Sequence, residues 1–278
     1  LLDAPLPLRV WHLTSLDAPT VAVVWALGFS WIVEVHLPCW LLFVLALVVW
    51  VIYVADRLLD AQAGELSGRL DRLRDRHRFH WAHRRILAPM AVVATACAAV
   101  MVLTLMPAVA RERNTVLAAA ALAYFTRVHS TGGLKLGAAR LLDLSAFQFP
   151  LKELAVGLLF AAGCALPAWN RAGNDAWKVG LPVLFFAGLA CLNCRAIECW
   201  EGRPRSIRLC AGVLSVVGLI LVVCLYPAQP RPAGLLLAGA ASAMLIALLD
   251  WRRRKMTPLA LRVAADLVLL TPLALLWR

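Results

Sequence analysis

From residue 86 to residue 110 the chain carries no charged side chain, and the stretches 209–230 and 232–249 read the same way. Runs of this length and apolarity fit helices that cross a bilayer, because hydrocarbon offers backbone N–H and C=O groups no partner except one another. Apolar runs bounded by Pro, Gly and charge predict nine such helices, at about 18–36, 39–60, 86–108, 114–128, 150–168, 177–199, 207–226, 233–251 and 258–277. The fourth is short for a full crossing, so a tilted, extended or partly sunken helix is expected there. With 62% hydrophobic residues, 16% charged residues and a mean hydropathy of +0.78, the chain is far more apolar than a soluble domain. The expectation is an all-α, polytopic membrane protein: nine transmembrane helices bundled around a central cavity, with residues 1–278 forming one domain.

A net charge of +12 would suit a nucleic-acid partner, but the basic residues are interrupted by spans that water cannot solvate. Membrane topology accounts for them instead, and no nucleic acid is expected. Arg69, Arg72, Arg74, Arg76, Arg78, Arg84 and Arg85 follow the second predicted helix; Arg127, Lys135, Arg140 and Lys152 follow the fourth. Arg203, Arg205 and Arg208 follow the sixth, and Arg252, Arg253, Arg254 and Lys255 the eighth. The alternate loops hold the smaller set Arg111, Arg113, Arg171, Lys178 and Arg231. Nine spans with the N-terminus inside satisfy this bias at every loop, whereas a missed or extra helix would scramble it. The expected location is therefore an inner or plasma membrane, with the N-terminus and the basic face cytoplasmic. The eight cysteines fall mostly inside apolar runs and give no disulfide framework; the CxxC spacing of Cys191 and Cys194 reads as packing within a span.

The chemistry gathers at that basic face. Asp56 and Asp60 stand one helical turn apart at the end of the second predicted helix and share a face where it meets the arginine- and histidine-rich stretch ending at Arg85. Carboxylates there need a cation, so they either pair with Arg57 and its neighbours or form a site. Glu198 and Glu201, three residues apart, repeat the arrangement on the sixth helix. Two acid pairs on facing helices would cage Mg²⁺, with Asp56, Asp60, Glu198 and Glu201 as ligands, and Lys152 with the arginines would neutralise a diphosphate. Lys152 and Glu153 begin the fifth helix, and Asn193 and Arg195 lie near the end of the sixth. Arg262 and Asp266, four apart, read as a structural intramembrane pair. His77, His80 and His83 read as part of an interfacial amphipathic segment, with metal binding as the alternative. Residues 127–150, with Gly132, Gly133 and Gly137, are a lid or a simple connector. Glu34 lies near the far end of the first helix and has no assigned role.

These residues resemble, in order along the chain, the motifs of the UbiA-type intramembrane prenyltransferases. Ser15-Leu16-Asp17-Ala18-Pro19 is similar to that family's opening R-L-D-K-P, and residues 52–60, ending Asp56-Arg57-Leu58-Leu59-Asp60, to its first aspartate motif N-D-x-x-D-x-x-x-D. Lys152, Gly157, Phe160, Gly163 and Pro167 resemble its K-R…L-G-x-x-F-x-x-G…P helix. Ile197-Glu198-Cys199-Trp200-Glu201-Gly202 resembles the second motif, D-x-E-D-x-E-G-D, and the last helix with Asp266 and Pro272 also fits.

The resemblance implies a nine-helix bundle in which Mg²⁺, held by the two aspartate motifs, grips an isoprenyl diphosphate whose tail lies in an apolar tunnel. Ionisation leaves an allylic cation for an acceptor or for cyclisation. Asp56, Asp60, Lys152, Glu198 and Glu201 are then the expected catalytic set. Tyr53, Arg57, Phe160, Asn193, Arg195 and Arg203 are the expected substrate-binding set, with the Tyr53, Trp50 and Phe160 rings as walls that tolerate a passing cation. The departures are specific. Ile52 and Tyr53 stand for the first Asn and Asp, Ala196, Cys199 and Arg203 for the aspartates of the second motif, and Ser15 for the opening arginine. Either a single Mg²⁺ is retained, or the fold has been turned to binding an isoprenoid, quinone or pigment, or to serving as a membrane-complex subunit.

Overall fold

The computed structural model describes residues 3–68, 73–130, 145–202 and 206–276, and every regular element among them is helical. In chain order these are α1 (Leu6–Leu13), α2 (Asp17–Ile32), α3 (Cys39–Leu66), α4 (Asp75–Ala82), α5 (Arg84–Leu105), α6 (Ala108–Ser130), α7 (Ser145–Trp169), α8 (Gly180–Glu201), α9 (Arg208–Leu225), α10 (Pro230–Arg252), α11 (Pro258–Leu267) and α12 (Leu273–Leu276). Each predicted span coincides with a helix or a broken helix, but not all nine are candidate crossings by length and apolarity. Among the described residues seven segments qualify, from Cys39–Leu66 through Pro258–Leu276, and the bent pair α1–α2, counted as one span, makes eight. α6 does not, because Arg111, Glu112, Arg113, Asn114 and Thr115 occupy its first turns.

Small side chains set how closely the helices approach. With lipid as solvent, apolar surface gains little by leaving it, so association rests on close packing. Ala18, Ala22, Ala161, Ala165, Ala168 and Ala187 are buried in one cluster around Trp25 and Phe186, whose rings stack 3.8 Å apart. Phe29 and Phe160 tilt against Phe186 at 6.1 and 5.8 Å. At the α7–α8 contact a Cβ on Gly157 would meet the Ala187 carbonyl at 2.5 Å, so that approach requires glycine. About half of the most apolar stretch of α8 and α10 is buried, against 11% for α5 and 17% for α9. The first two are therefore central and the last two face lipid.

Three local departures from regular helix position the site. α3 does not end at Asp60: Ala61, Gln62, Ala63 and Glu65 are good helix formers and carry it to Leu66. Asp56 and Asp60 are thus on the side of a helix, with water-facing turns beyond them. Between α1 and α2 the chain bends by 87°, with buried Ser15 at φ +62°. Trp50 Nε1 donates to the Thr14 carbonyl at 3.0 Å, fixing the bend to α3 and laying α1 against α4 and α11. Finally, the last span breaks before Pro272, which cannot donate. The stranded carbonyls are taken up by side chains: Trp25 Nε1 donates to Leu269 O at 2.9 Å, and Ser242 Oγ to Val268 O at 2.6 Å.

Candidate functional site

A buried polar network forms where the α1–α2 bend meets α3, α4, α8 and α11. His12 Nδ1 lies 2.6 Å from Asp17 Oδ2 and 3.6 Å from Asp266 Oδ2. Asn193 Nδ2 donates to Asp266 Oδ1 at 3.2 Å. Arg57 contributes the second cation. Its Nη2 is 3.8 Å from Asp17 Oδ2, and its Nη1 donates to Ser15 Oγ and, at 3.4 Å, to the His12 carbonyl. The Tyr53 ring faces the same guanidinium at 5.6 Å. Ligand atoms of His12, Asp17 and Asp266 all lie within 4.8 Å of one another, which makes them the metal-sized group among the described residues. Asp17 lies against both the Arg57 guanidinium and the His12 imidazole, so the cluster has cation partners without a metal ion.

Toward water lies a second, half-exposed layer. Asp56 Oδ1 faces His129 Nε2 at 3.3 Å, and Asp60 Oδ2 faces His77 Nε2 at 3.5 Å. The carboxylates remain 46% and 49% exposed, so they stay open to a ligand from solvent. Lys152 and Arg76 lie within electrostatic reach of Asp60. From α8, Glu201 is gripped by two guanidiniums: Arg74 Nε at 2.8 Å on Oε2, and Arg262 Nε on Oε1. Glu198 pairs loosely with Arg195 at 3.6 Å and lies near enough to buried Glu153 for each carboxyl to act on the other. Two carboxyls that close must share a proton or a cation. Arg74 joins the halves, since the charges of Asp56, Asp60 and Glu198 all act on it while it binds Glu201.

α4 closes this layer from the side. Arg74, at its start, is held below the ordinary guanidinium value by burial and by Arg76. Burial, then Arg76, Arg74, Arg57 and Arg262, pushes the His77 imidazole down to about 3. Burial likewise pushes His80 down to about 4. The neutral His80 ring donates from Nδ1 to the Arg76 carbonyl at 2.8 Å, which leaves Nε2 to accept the Ser15 hydroxyl at 3.0 Å. His83, exposed at the helix end, bonds the Phe79 carbonyl instead. The three histidines therefore face three different partners and do not converge on a metal.

The structure thus gathers Asp56, Asp60, Lys152, Glu198 and Glu201 at one end of the bundle, but not as a four-acid cage. Both Glu201 oxygens face arginines, and the ligand atoms of the four acids do not form a metal-sized group. Tyr53, Arg57 and Asn193 belong to the inner layer. Phe160 packs on Phe186 in the apolar core beneath. Arg57 turns to Ser15 and Asp17 rather than to Asp56 or Asp60, and Arg262 pairs with Glu201 rather than with Asp266, because the α1–α2 bend brings His12 to Asp266 first. Arg203 and the greater part of the 127–150 segment lie outside the described residues. His12 and His129 were not singled out by sequence reasoning. A histidine five residues before Asp17 and another at the end of the fourth predicted helix were the available signals. Compared with known proteins, the chain matches no protein-family profile, no curated protein and no solved structure.

Proposed function

We propose that this chain is an integral membrane enzyme of the prenyltransferase kind. It would hold an isoprenyl diphosphate with the charged head among the ends of α3, α4, α7 and α8 and the tail among the apolar helices. The observation that carries the reading is Arg74, which binds Glu201 of α8 at 2.8 Å while the charges of Asp56 and Asp60 of α3 act on it. Acids and arginines intermixed at the water boundary, above an apolar interior, suit a ligand that is anionic at one end and greasy at the other.

Asp56 and Asp60 fit magnesium: they offer oxygen donors on one helical face, half exposed, with imidazole neighbours. Glu201 does not, because two arginines already neutralise it. When bound there, magnesium would offset the charge of the diphosphate as its carbon–oxygen bond breaks. Lys152, Arg74 and Arg76 stabilise the same leaving group, which takes both electrons of that bond. The acceptor then supplies an electron pair to the allylic carbon and gives up a proton, for which Glu198, 39% exposed, is the candidate base. The basic ends of the helices favour a cytoplasmic position for this face.

The test uses the full chain in nanodiscs with Mg²⁺ and farnesyl or geranylgeranyl diphosphate, reading diphosphate release. Release is expected to fall about a hundredfold in an Asp56→Asn/Asp60→Asn variant. Equal release from both proteins would end the proposal. The engagement of Glu201 by two arginines favours a second reading, a non-catalytic protein that binds an isoprenoid, quinone or pigment. A neutral lipid that co-purifies and survives EDTA, with no uptake of either diphosphate, would select it.

A further inference from the structure

Where α9 begins and α10 ends, Arg208, Asp250, Trp251, Arg253 and Arg254 line a cavity of about 340 Å³ that the proposed reaction does not use. Asp250 is fully buried at its base. Its Oδ1 accepts from Trp200 Nε1 at 2.9 Å and Arg253 Nη1 at 3.3 Å; its Oδ2 accepts from Ser206 Oγ at 2.8 Å and forms an ion pair with Arg208 Nε at 3.3 Å. One carboxylate therefore orients guanidiniums from two helices but offsets the charge of one. With Arg254, the described lining carries three cations against a single anion. Asp250 holds the Arg208 and Arg253 guanidiniums at the cavity wall, and the set suits an anion that accepts from planar donors.

The surroundings say which anion. The cavity lies where one candidate span starts and another stops, so it opens at the membrane boundary. Trp251 is exposed beside it with the Arg252 guanidinium 5.9 Å from its ring, as an interfacial aromatic would be. Below it, Leu209, Val213, Val216 and Ile220 form an exposed apolar stripe along α9. We infer that this cavity binds the phosphate of an anionic phospholipid whose acyl chains lie along α9. A free phosphate would satisfy the arginines but has no use for the stripe. The site is independent of the diphosphate reading, which concerns other residues.

The experiment is native mass spectrometry of the full chain in neutral detergent, titrated with phosphatidylglycerol or with phosphatidylcholine of the same acyl chains. Phosphatidylglycerol is expected to be retained preferentially. Arg254→Gln, which leaves the Asp250 ion pairs in place, should weaken that retention about fivefold. Lys255→Gln, the adjacent charge that does not line the cavity, should leave it unchanged. Equal retention of the two lipids, or equal weakening by the two variants, overturns the proposal. Displacement of phosphatidylglycerol by millimolar inorganic phosphate overturns it too, since the pocket would then be a free-anion site.

Discussion

Glu201 illustrates how a single carboxylate can hold three elements together: it ends α8, takes Arg74 from the start of α4, and takes Arg262 from α11. Arg262 is buried, so the pair is worth little relative to an apolar replacement of both partners, but removing one partner strands a charge. Glu201→Gln should therefore destabilise the protein by about 3 kcal/mol, seen as a lower thermal midpoint in detergent. Adding Arg262→Met should recover most of that loss, whereas Arg74→Met alone should do little because Arg74 is 44% exposed and its bond is screened. If Arg74→Met proves as damaging as Glu201→Gln, the clamp is centred on α4 instead. At this scale the carboxylates were legible in the sequence, since spacings of three and four residues fix a shared helical face. Their partners were not. Arg57 finds Ser15 and Asp17 only because the backbone at Ser15 takes a left-handed turn, and no local pattern announces a positive φ at a serine.

Helices α4 and α7 carry the predictions that belong to whole elements. α4 lies outside the membrane spans and presents two buried neutral imidazoles: His77 toward Asp60 with Arg57, Arg74, Arg76 and Arg262 around it, and His80 toward Ser15, Arg57 and Asp17. Their folded-state values, about 3 and about 4, lie below the unfolded value near 6.5. The unfolded chain then binds more protons in between, so stability is complete above pH 6.5 and is lost as pH falls toward 4. The thermal midpoint should drop between pH 7 and pH 5, and a His77→Asn/His80→Gln variant should flatten that slope; an unchanged slope would mean that neither ring is buried neutral. On α7, two glycines of the same motif separate. Gly157→Ala drives a Cβ to 2.5 Å from the Ala187 carbonyl and should cost about 1–3 kcal/mol, while Gly163→Ala, with its nearest neighbour 4.0 Å away, should be neutral or slightly stabilising. Thermal melts of the two variants decide it. The helices themselves were legible from apolar run length, to within a turn or two. α1 was missed, because an eight-residue segment lacks the run length that marks a span, while the α4 stretch was legible as an interfacial amphipathic segment but not as a bounded helix.

Across the whole molecule, polar contacts gather at two ends separated by the apolar spans. At one end, Arg113 meets Asn170 at 3.3 Å and Arg231 meets Glu34, which ties the start of α6 to the end of α7 and the start of α10 to the end of α2. At the other, His129 meets Asp56 and Arg208 meets Asp250, which ties the end of α6 to α3 and the start of α9 to the end of α10. α6 thus runs from one end to the other despite its polar first turns, and the charge alternation along the sequence requires the same. Counting crossings by apolarity alone omits it, since its charged residues sit in the first and last turns while exposed apolar side chains such as Val116 and Leu122 lie between them. A labelling experiment separates the two counts. Single cysteines at Ser67 and Ser206, in a background with the eight native cysteines replaced, have α5, α6, α7 and α8 between them. If α6 crosses, an impermeant maleimide reaches both from the same side, together with a cysteine at Arg254, while cysteines at Glu112, Asp175 and Arg231 label from the other. If α6 does not cross, Ser67 and Ser206 label from opposite sides, and the acids of α3 and α8 would no longer face a common compartment. The basic loops predict that the side shared by Ser67, Ser206 and Arg254 is the cytoplasmic one, so intact cells should protect those three and expose the rest.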